Sequence, residues 1–138
     1  MTSDEEALQR IRLQQADETL EDCRMLLDRS GSGRSVVNRA YYAAYYAAYY
    51  AVLALLVSSE VPPRKHGHTI GLFDRLLVKT GEFSKMHSTY LHELFEDRVE
   101  DDYKSLVSVP LEKAKESLKK AEAFVAAVNA YVTKGASF

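Results

Sequence analysis

The chain has 138 residues, of which 46% are hydrophobic, and its 18 basic and 20 acidic side chains give a net charge of −2. This length predicts one domain spanning residues 1–138, and the charge argues against a general nucleic-acid coat, because such binding depends on neutralising phosphates. A single cysteine, Cys23, excludes an internal disulfide framework and a zinc site built from cysteines. No charged leader precedes an apolar signal core, so we expect a cytoplasmic protein.

The first predicted helix covers about residues 3–29. Ser3 and Glu6 have the spacing of a capping box at its start, and Gly31 and Gly33 end it. Apolar residues recur in it at intervals of three or four: Leu13, Ala16, Leu20, Cys23 and Leu27. We expect this seam to face the interior of a helical bundle.

The second predicted helix covers about residues 34–59 and contains the run NRAYYAAYYAAYYAVLALL. Projected at about 100° per residue, the tyrosines of this run occupy one half of the helix surface and the alanines occupy the other half. The alanine half predicts close approach by another backbone, whereas the tyrosine half fits either large core residues or the wall of a pocket or subunit interface. Tyrosine and alanine interrupt the apolar run 40–57, so we expect a buried helix rather than a membrane span.

Three more helices complete the prediction. The third covers about residues 68–80 and closes at Gly81. Its inner stripe holds Ile70, Phe73, Leu77 and Thr80. The fourth begins near the N-cap candidate Ser84 and runs to about Tyr103. The fifth starts at Pro110 and carries a heptad seam of Leu111, Ala114, Leu118, Ala121, Val125, Val128 and Val132.

The loops between the long helices are short, which favours antiparallel neighbours. The predicted fold is therefore all-α: an antiparallel up-down four-helix bundle with one additional short helix.

Arg98 falls on the inward stripe of the fourth helix, where a charge is costly without a partner. His87, Leu91, Leu94, Phe95 and Asp102 share this stripe. One interpretation is a structural staple in which Asp101 or Asp102 pairs with Arg98. The other is an anion or phosphate site, since a guanidinium offers a planar fork of donors. Composition alone favours the staple.

The histidines do not indicate a metal centre. They are His66, His68, His87 and His92, and no two of them have the four-residue spacing of a metal-binding pair. The chain also lacks a Gly-rich phosphate loop and a nucleophile-elbow motif. We therefore predict no metal site and no cofactor.

Three segments carry a family resemblance: NRAYYAAYYAAYYAVLALL in the second helix, KHGHTIGLF entering the third and LFEDRVEDDY in the fourth. In order and spacing they resemble the HEPN domain family, and especially its small prokaryotic members, which are often encoded beside a minimal nucleotidyltransferase. The resemblance covers nearly the whole chain and implies a homodimer. Many members are metal-independent endoribonucleases, and several are toxins of toxin–antitoxin pairs.

The resemblance also implies a site. Family sites have an arginine followed by four to six residues and then a histidine; here Arg98 matches the arginine, and Tyr103 stands at the histidine position. An unperturbed phenol titrates near pH ~10 and is a poor base at neutral pH. Tyr103 is therefore expected to orient a phosphate or stack on a base, with His66 or His87 as acid or base. Asn38, Arg39 and Asp102 complete the candidate binding residues.

Three functional interpretations stay open. The first is a toxin-like partner of a nucleotidyltransferase, acting on RNA or a nucleotide through a dimer cleft that contains Arg98. The second is a HEPN protein that binds without cleaving, which the absent histidine favours. The third is a structural or partner-binding bundle, which the acidic residues around Arg98 favour. In relatives the partner silences the toxin by adding AMP to a tyrosine, for which Tyr103 is the candidate, and we expect part of the tyrosine half to meet the second subunit.

Overall fold

The computed structural model describes residues 1–29, 34–59, 66–103 and 110–134; for residues 34, 35, 66 and 96–103 it describes the helical backbone without the side chains. Five α-helices and no strand lie in these ranges, which confirms the predicted all-α fold. The helices are α1 (Ser3–Leu27), α2 (Arg34–Leu55), α3 (His66–Phe73), α4 (Lys85–Tyr103) and α5 (Leu111–Thr133). Asp74–Val78 continues α3 as a π-helical segment. No helix in the described ranges is long and apolar enough to cross a lipid bilayer.

The capping box of α1 lies one residue earlier than the sequence predicted. The Thr2 hydroxyl accepts a hydrogen bond from the Glu5 amide at 3.1 Å, and the Glu5 carboxylate accepts one from the Thr2 amide at 2.8 Å. The predicted pair of Ser3 and Glu6 is therefore wrong, because Thr2 is the last residue with extended backbone and Ser3 is already helical.

The first two helices end earlier than predicted, at Leu27 and Leu55 rather than at about residues 29 and 59, and Gly31 and Gly33 lie outside the described residues. The ends around α3 and α4 agree better with the prediction. Gly81 ends the third helical segment with a φ of 84°, a left-handed conformation that glycine adopts without strain. Ser84 caps α4, since its hydroxyl accepts from the His87 amide at 3.4 Å. Pro110 is the N-cap of α5 rather than its first helical residue, because its ψ of 145° is extended. Thr80 is exposed and not part of the inner stripe; its hydroxyl donates to the Leu76 carbonyl at 2.9 Å.

Hydrogen bonds show that α1 and α2 run antiparallel. The Gln9 side chain, near the start of α1, donates to the Ala54 carbonyl near the end of α2 at 3.1 Å. At the opposite end of the pair, the Cys23 thiol donates to the Ala40 carbonyl at 3.1 Å. Gln9 is a buried polar residue that the apolar periodicity of α1 could not predict.

The directions of α4 and α5 follow in the same way. Arg24 pairs with Glu122 at 3.0 Å and Asp17 accepts from Asn129 at 3.2 Å, so α5 runs antiparallel to α1 and hence parallel to α2. The α4 side chain of Glu93 pairs with Lys120 of α5 at 3.2 Å. Just before α4, the Phe83 ring lies 5.0 Å from that of Tyr131, near the end of α5. Consequently α4 runs antiparallel to both α5 and α2.

Most of the alanine half of α2 is buried, as the sequence predicted. Six alanines of α2 are completely buried: Ala40, Ala44, Ala47, Ala48, Ala51 and Ala54. Tyr41 and Tyr45 are also buried, so these two serve as large core residues. Four tyrosines are half-buried and reach the protein surface: Tyr42, Tyr46, Tyr49 and Tyr50. Whether any of them meets a second subunit stays a prediction.

A larger side chain on the alanine half is expected to destabilise the protein. Ala48→Leu will lower the free energy of unfolding by about 1–3 kcal/mol, because the packed neighbours of Ala48 leave no room for the added atoms. Ala43→Leu is the matched control, since Ala43 lies on the same helix but is only half-buried. Urea unfolding of both variants measures the difference, and an equal loss in the two would contradict close packing at Ala48.

Candidate functional site

The inner stripe of α4 leads to Arg98. Leu91 and Leu94 are buried as predicted, and Phe95 is half-buried. The helix continues to Tyr103, the predicted end, and so carries Arg98 one turn beyond Phe95, about 4.5 Å along the helix axis. The structure does not describe the side chains of Arg98, Asp102 and Tyr103, so their roles stay predictions.

The start of α2 and the end of α4 lie at the same end of the bundle. The Phe95 ring is 6.5 Å from that of Tyr45. Asn38 is seven residues before Tyr45, and Asp102 is seven residues after Phe95. Since α2 and α4 are antiparallel, Asn38 and Asp102 each lie about 10 Å along the helix axis from the ring contact, towards the same end of the bundle. Arg39, the neighbour of Asn38, is exposed at this end.

The start of α3 lies beside the same part of α4. A Cβ atom placed on Gly67 would be 3.9 Å from Cζ of Phe95. His66, whose side chain is outside the description, is the first residue of α3 and precedes Gly67. The structure therefore brings the backbone of the start of α3, residues 66–68, next to α4, one turn before Arg98.

His87 lies too far from Arg98 to share a site with it in one subunit. The two positions are eleven residues apart, about 16 Å along α4. The His87 ring is hydrogen-bonded to the Ser84 hydroxyl at 3.0 Å and lines a pocket of about 280 Å³ at the far end of the bundle. In that pocket, burial and then the charge of Glu82 raise the pKa of Tyr131. Of the two predicted acid–base candidates, only His66 lies near α4 at Phe95.

A cluster of three polar side chains was not foreseen from the sequence. The Asp74 carboxylate, on the π-helical segment, accepts from the Ser88 hydroxyl at 2.7 Å and pairs with Nε2 of His92. The Asp74 carboxylate contacts both Ser88 and His92. In a nucleophilic triad the histidine lies between the nucleophile and the carboxylate, so this cluster does not have the arrangement of a triad. It instead joins α3 to α4 and helps to hold the start of α3 beside Phe95. Ser88 and His92 are four residues apart, but no pattern indicated Asp74.

The charges around the site come from several helices. Glu93, in the acidic stretch of α4, is neutralised by Lys120 of α5. On the side of α2, the ammonium group of Lys113 lies 5.7 Å from the centre of the Tyr41 ring, and Arg39 is exposed. The predicted basic residues Arg64 and Lys65 lie outside the described residues. Within those residues no group of three or more His, Cys, Asp or Glu side chains is placed to hold a metal ion.

The helical fold, in which α2 and α3 both approach α4 near Phe95, is that of an all-α protein of the HEPN class. The HEPN domain model matches residues 9–131, and the chain belongs to this family, as its resemblance predicted. The chain is 35% identical to a "UPF0332 protein" of Thermotoga maritima over 113 residues, which cover 82% of each protein. It is 30% identical to the "Putative toxin MJ0142" of Methanocaldococcus jannaschii over 96 residues, which cover 70% of this chain and 63% of that protein.

Proposed function

We propose that this protein is the toxin-like member of a HEPN–nucleotidyltransferase pair, and that it acts on or binds RNA or a nucleotide through a dimer cleft containing Arg98. Family membership and the relative named as a toxin support the toxin-like assignment. The closeness of Tyr45 of α2 and Gly67 of α3 to Phe95 of α4, together with the antiparallel directions of α2 and α4, supports the assignment of the site.

The chemistry of the proposed site needs no metal. The Arg98 guanidinium binds the phosphate and stabilises the negative charge that develops on it. Tyr103 donates a hydrogen bond to the phosphate or stacks on a neighbouring base. In RNA cleavage the 2′-oxygen attacks the adjacent phosphorus and the bond from phosphorus to the 5′-oxygen breaks, which leaves a 2′,3′-cyclic phosphate and a 5′-hydroxyl. His66 is the candidate to take the proton of the 2′-hydroxyl or to supply one to the leaving 5′-oxygen. Asn38, Arg39 and Asp102 contact the nucleotide beside the phosphate.

Binding without cleavage is the second candidate function. It is favoured by Tyr103, which stands where a catalytic histidine is expected, because a phenol does not accept a proton readily near neutral pH. Under this proposal the protein holds RNA, a nucleotide or a protein partner at the same end of the bundle. Tyr103 is also the candidate acceptor of AMP from the partner nucleotidyltransferase.

Replacement of Arg98 tests the site. We expect Arg98→Ala to weaken binding of a short single-stranded RNA about tenfold and to lower the salt dependence by about one phosphate contact. Fluorescence anisotropy at several salt concentrations measures both quantities. Arg75→Ala is the control, because Arg75 is an exposed arginine on the π-helical segment, outside the proposed site. Equal affinities of wild type and Arg98→Ala would remove Arg98 from the site.

Cleavage assays on the same RNA separate the two functions. Cleavage by the wild type that disappears in Arg98→Ala supports the nuclease. Binding by the wild type without cleavage, together with gain of cleavage in Tyr103→His, supports the binding protein, because the imidazole then supplies the missing base.

A further inference from the structure

The pocket that contains His87 lies between the start of α4 and the end of α5, at the end of the bundle distant from Arg98. Its volume of about 280 Å³ is close to the lower limit for pockets that bind small molecules, which is about 300 Å³. Ala127 and Ala130 of α5 line it, and their short side chains leave this space open. None of the residues assigned to the proposed RNA site lines the pocket, so it requires an interpretation of its own.

One wall of the pocket is aromatic and is fixed by contacts within the protein. The buried ring of Phe83 lies 5.4 Å from the ring of Phe73, 5.0 Å from that of Tyr131 and 5.9 Å from that of His87, measured between centroids. These contacts hold the rings in place before any ligand arrives, which lowers the entropic cost of binding. An aromatic group of a ligand can pack against this wall edge to face or offset.

Two opposite charges line the same pocket without pairing with each other. Glu82 and Lys134 are both exposed there, and among the described residues no carboxylate forms an ion pair with Lys134. The Glu82 carboxylate lies beside Tyr131, because its charge adds to the effect of burial in raising the pKa of that phenol. A small molecule that carries both an ammonium group and a carboxylate would therefore find a partner for each charge.

The His87 ring supplies a further donor. The Ser84 hydroxyl accepts from the His87 amide at 3.4 Å and lies 3.0 Å from Nδ1 of the same residue, so its proton is directed to Nδ1. In a neutral imidazole the other nitrogen, Nε2, then carries the ring proton. Because His87 and Lys134 line one pocket, a carboxylate bound there can accept from both.

We propose that this pocket binds a free α-amino acid with an aromatic side chain. The ligand carboxylate accepts from Lys134 and His87, and the ligand ammonium group donates to Glu82. The aromatic ring of the ligand packs on Phe83 above the two alanines. Binding is reversible and involves no covalent step, and it is independent of the function proposed for the Arg98 cleft.

Titration with L-phenylalanine, followed by the backbone amide signals of the protein in nuclear magnetic resonance, tests the pocket. We expect a dissociation constant of about 1 mM, because a ligand of this size contributes little binding energy per atom. The shifts should concentrate in residues 82–87 and 127–134. Phenethylamine lacks the carboxylate and phenylpropionate lacks the ammonium group, so each should bind at least about fivefold more weakly.

Two substitutions locate the binding site. Ala130→Leu should abolish binding of L-phenylalanine, because the added atoms fill the pocket. Ala123→Leu is the matched control, since Ala123 is also an exposed alanine of α5 but does not line the pocket. Lys134→Ala should weaken L-phenylalanine about three- to tenfold and leave the affinity for phenethylamine unchanged, because phenethylamine has no carboxylate to lose a partner.

Four results would overturn the proposal. They are the absence of shifts at about ten times the expected dissociation constant, equal affinities for L-phenylalanine and its two analogues, undiminished binding by Ala130→Leu, and equal weakening by Ala123→Leu. Arg98→Ala should bind L-phenylalanine like the wild type. Failure of this pocket and failure of the proposed RNA site therefore give different results.

Discussion

Phe73→Ala will lower the free energy of unfolding by about 3–5 kcal/mol. Phe73 is completely buried where α3 passes into the π-helical segment. Its ring meets the rings of Phe83 and Phe124 edge to face, with centroids 5.4 Å apart in both pairs. Truncation removes both aromatic contacts and leaves a cavity that the rigid helices cannot close, so the loss is larger than the transfer free energy of the side chain.

Urea unfolding followed by circular dichroism measures this loss. Met86→Ala is the control, because Met86 is an exposed apolar residue and its truncation should change stability by less than about 0.5 kcal/mol. A loss below about 1 kcal/mol in Phe73→Ala would contradict a packed aromatic centre joining α3, α5 and the segment just before α4.

Alkaline pH will destabilise the wild type through Cys23. Burial, and then the charge of Glu122, raise the pKa of this thiol from 9.0 to about 12. A raised folded-state pKa means that the unfolded state loses its proton first, so the stabilisation is fully present below pH 9.0 and is lost as the pH rises towards about 12. At pH 11 we expect a loss of about 2–3 kcal/mol from this group.

The Cys23→Ala variant isolates the effect, since other groups titrate in the same range in both proteins. The free energy of unfolding, measured between pH 8 and pH 11, should fall less in Cys23→Ala than in the wild type by the amount given above. Parallel pH profiles of the two proteins would show that the buried thiol does not govern the alkaline stability.

The positions of the site segments depend on core contacts away from the site. Asp74 joins the π-helical segment to Ser88 and His92 of α4, and Phe73 packs the same segment against α5. Both contacts hold α3, whose first residues lie beside Phe95. The contacts of Phe73 and Asp74, seven and eight residues after His66, therefore help to fix the position of His66.

Local patterns in the sequence predicted all five helices and some of their ends. The alternation of tyrosine and alanine pairs gave α2 its two faces, because both residue types recur with the period of the helix. Gly81 and Ser84 marked a helix end and start through conformations and hydrogen bonds that involve only nearby residues. The capping box was misplaced by one residue because Thr2 and Ser3 are chemically alike.

Family membership also followed from the sequence alone, because each of the three segments that carry the resemblance is a continuous stretch of the chain. Which tyrosines are buried did not follow, because that depends on where α1, α4 and α5 cover α2. Tyr41 and Tyr45 face neighbouring helices and are buried, whereas Tyr49 lines a groove beside α1. The Asp74 cluster and the placement of the start of α3 beside Phe95 were likewise decided only by the tertiary structure. Each depends on how helices distant in the chain pack or are aligned, and a local periodicity carries no information about such distances.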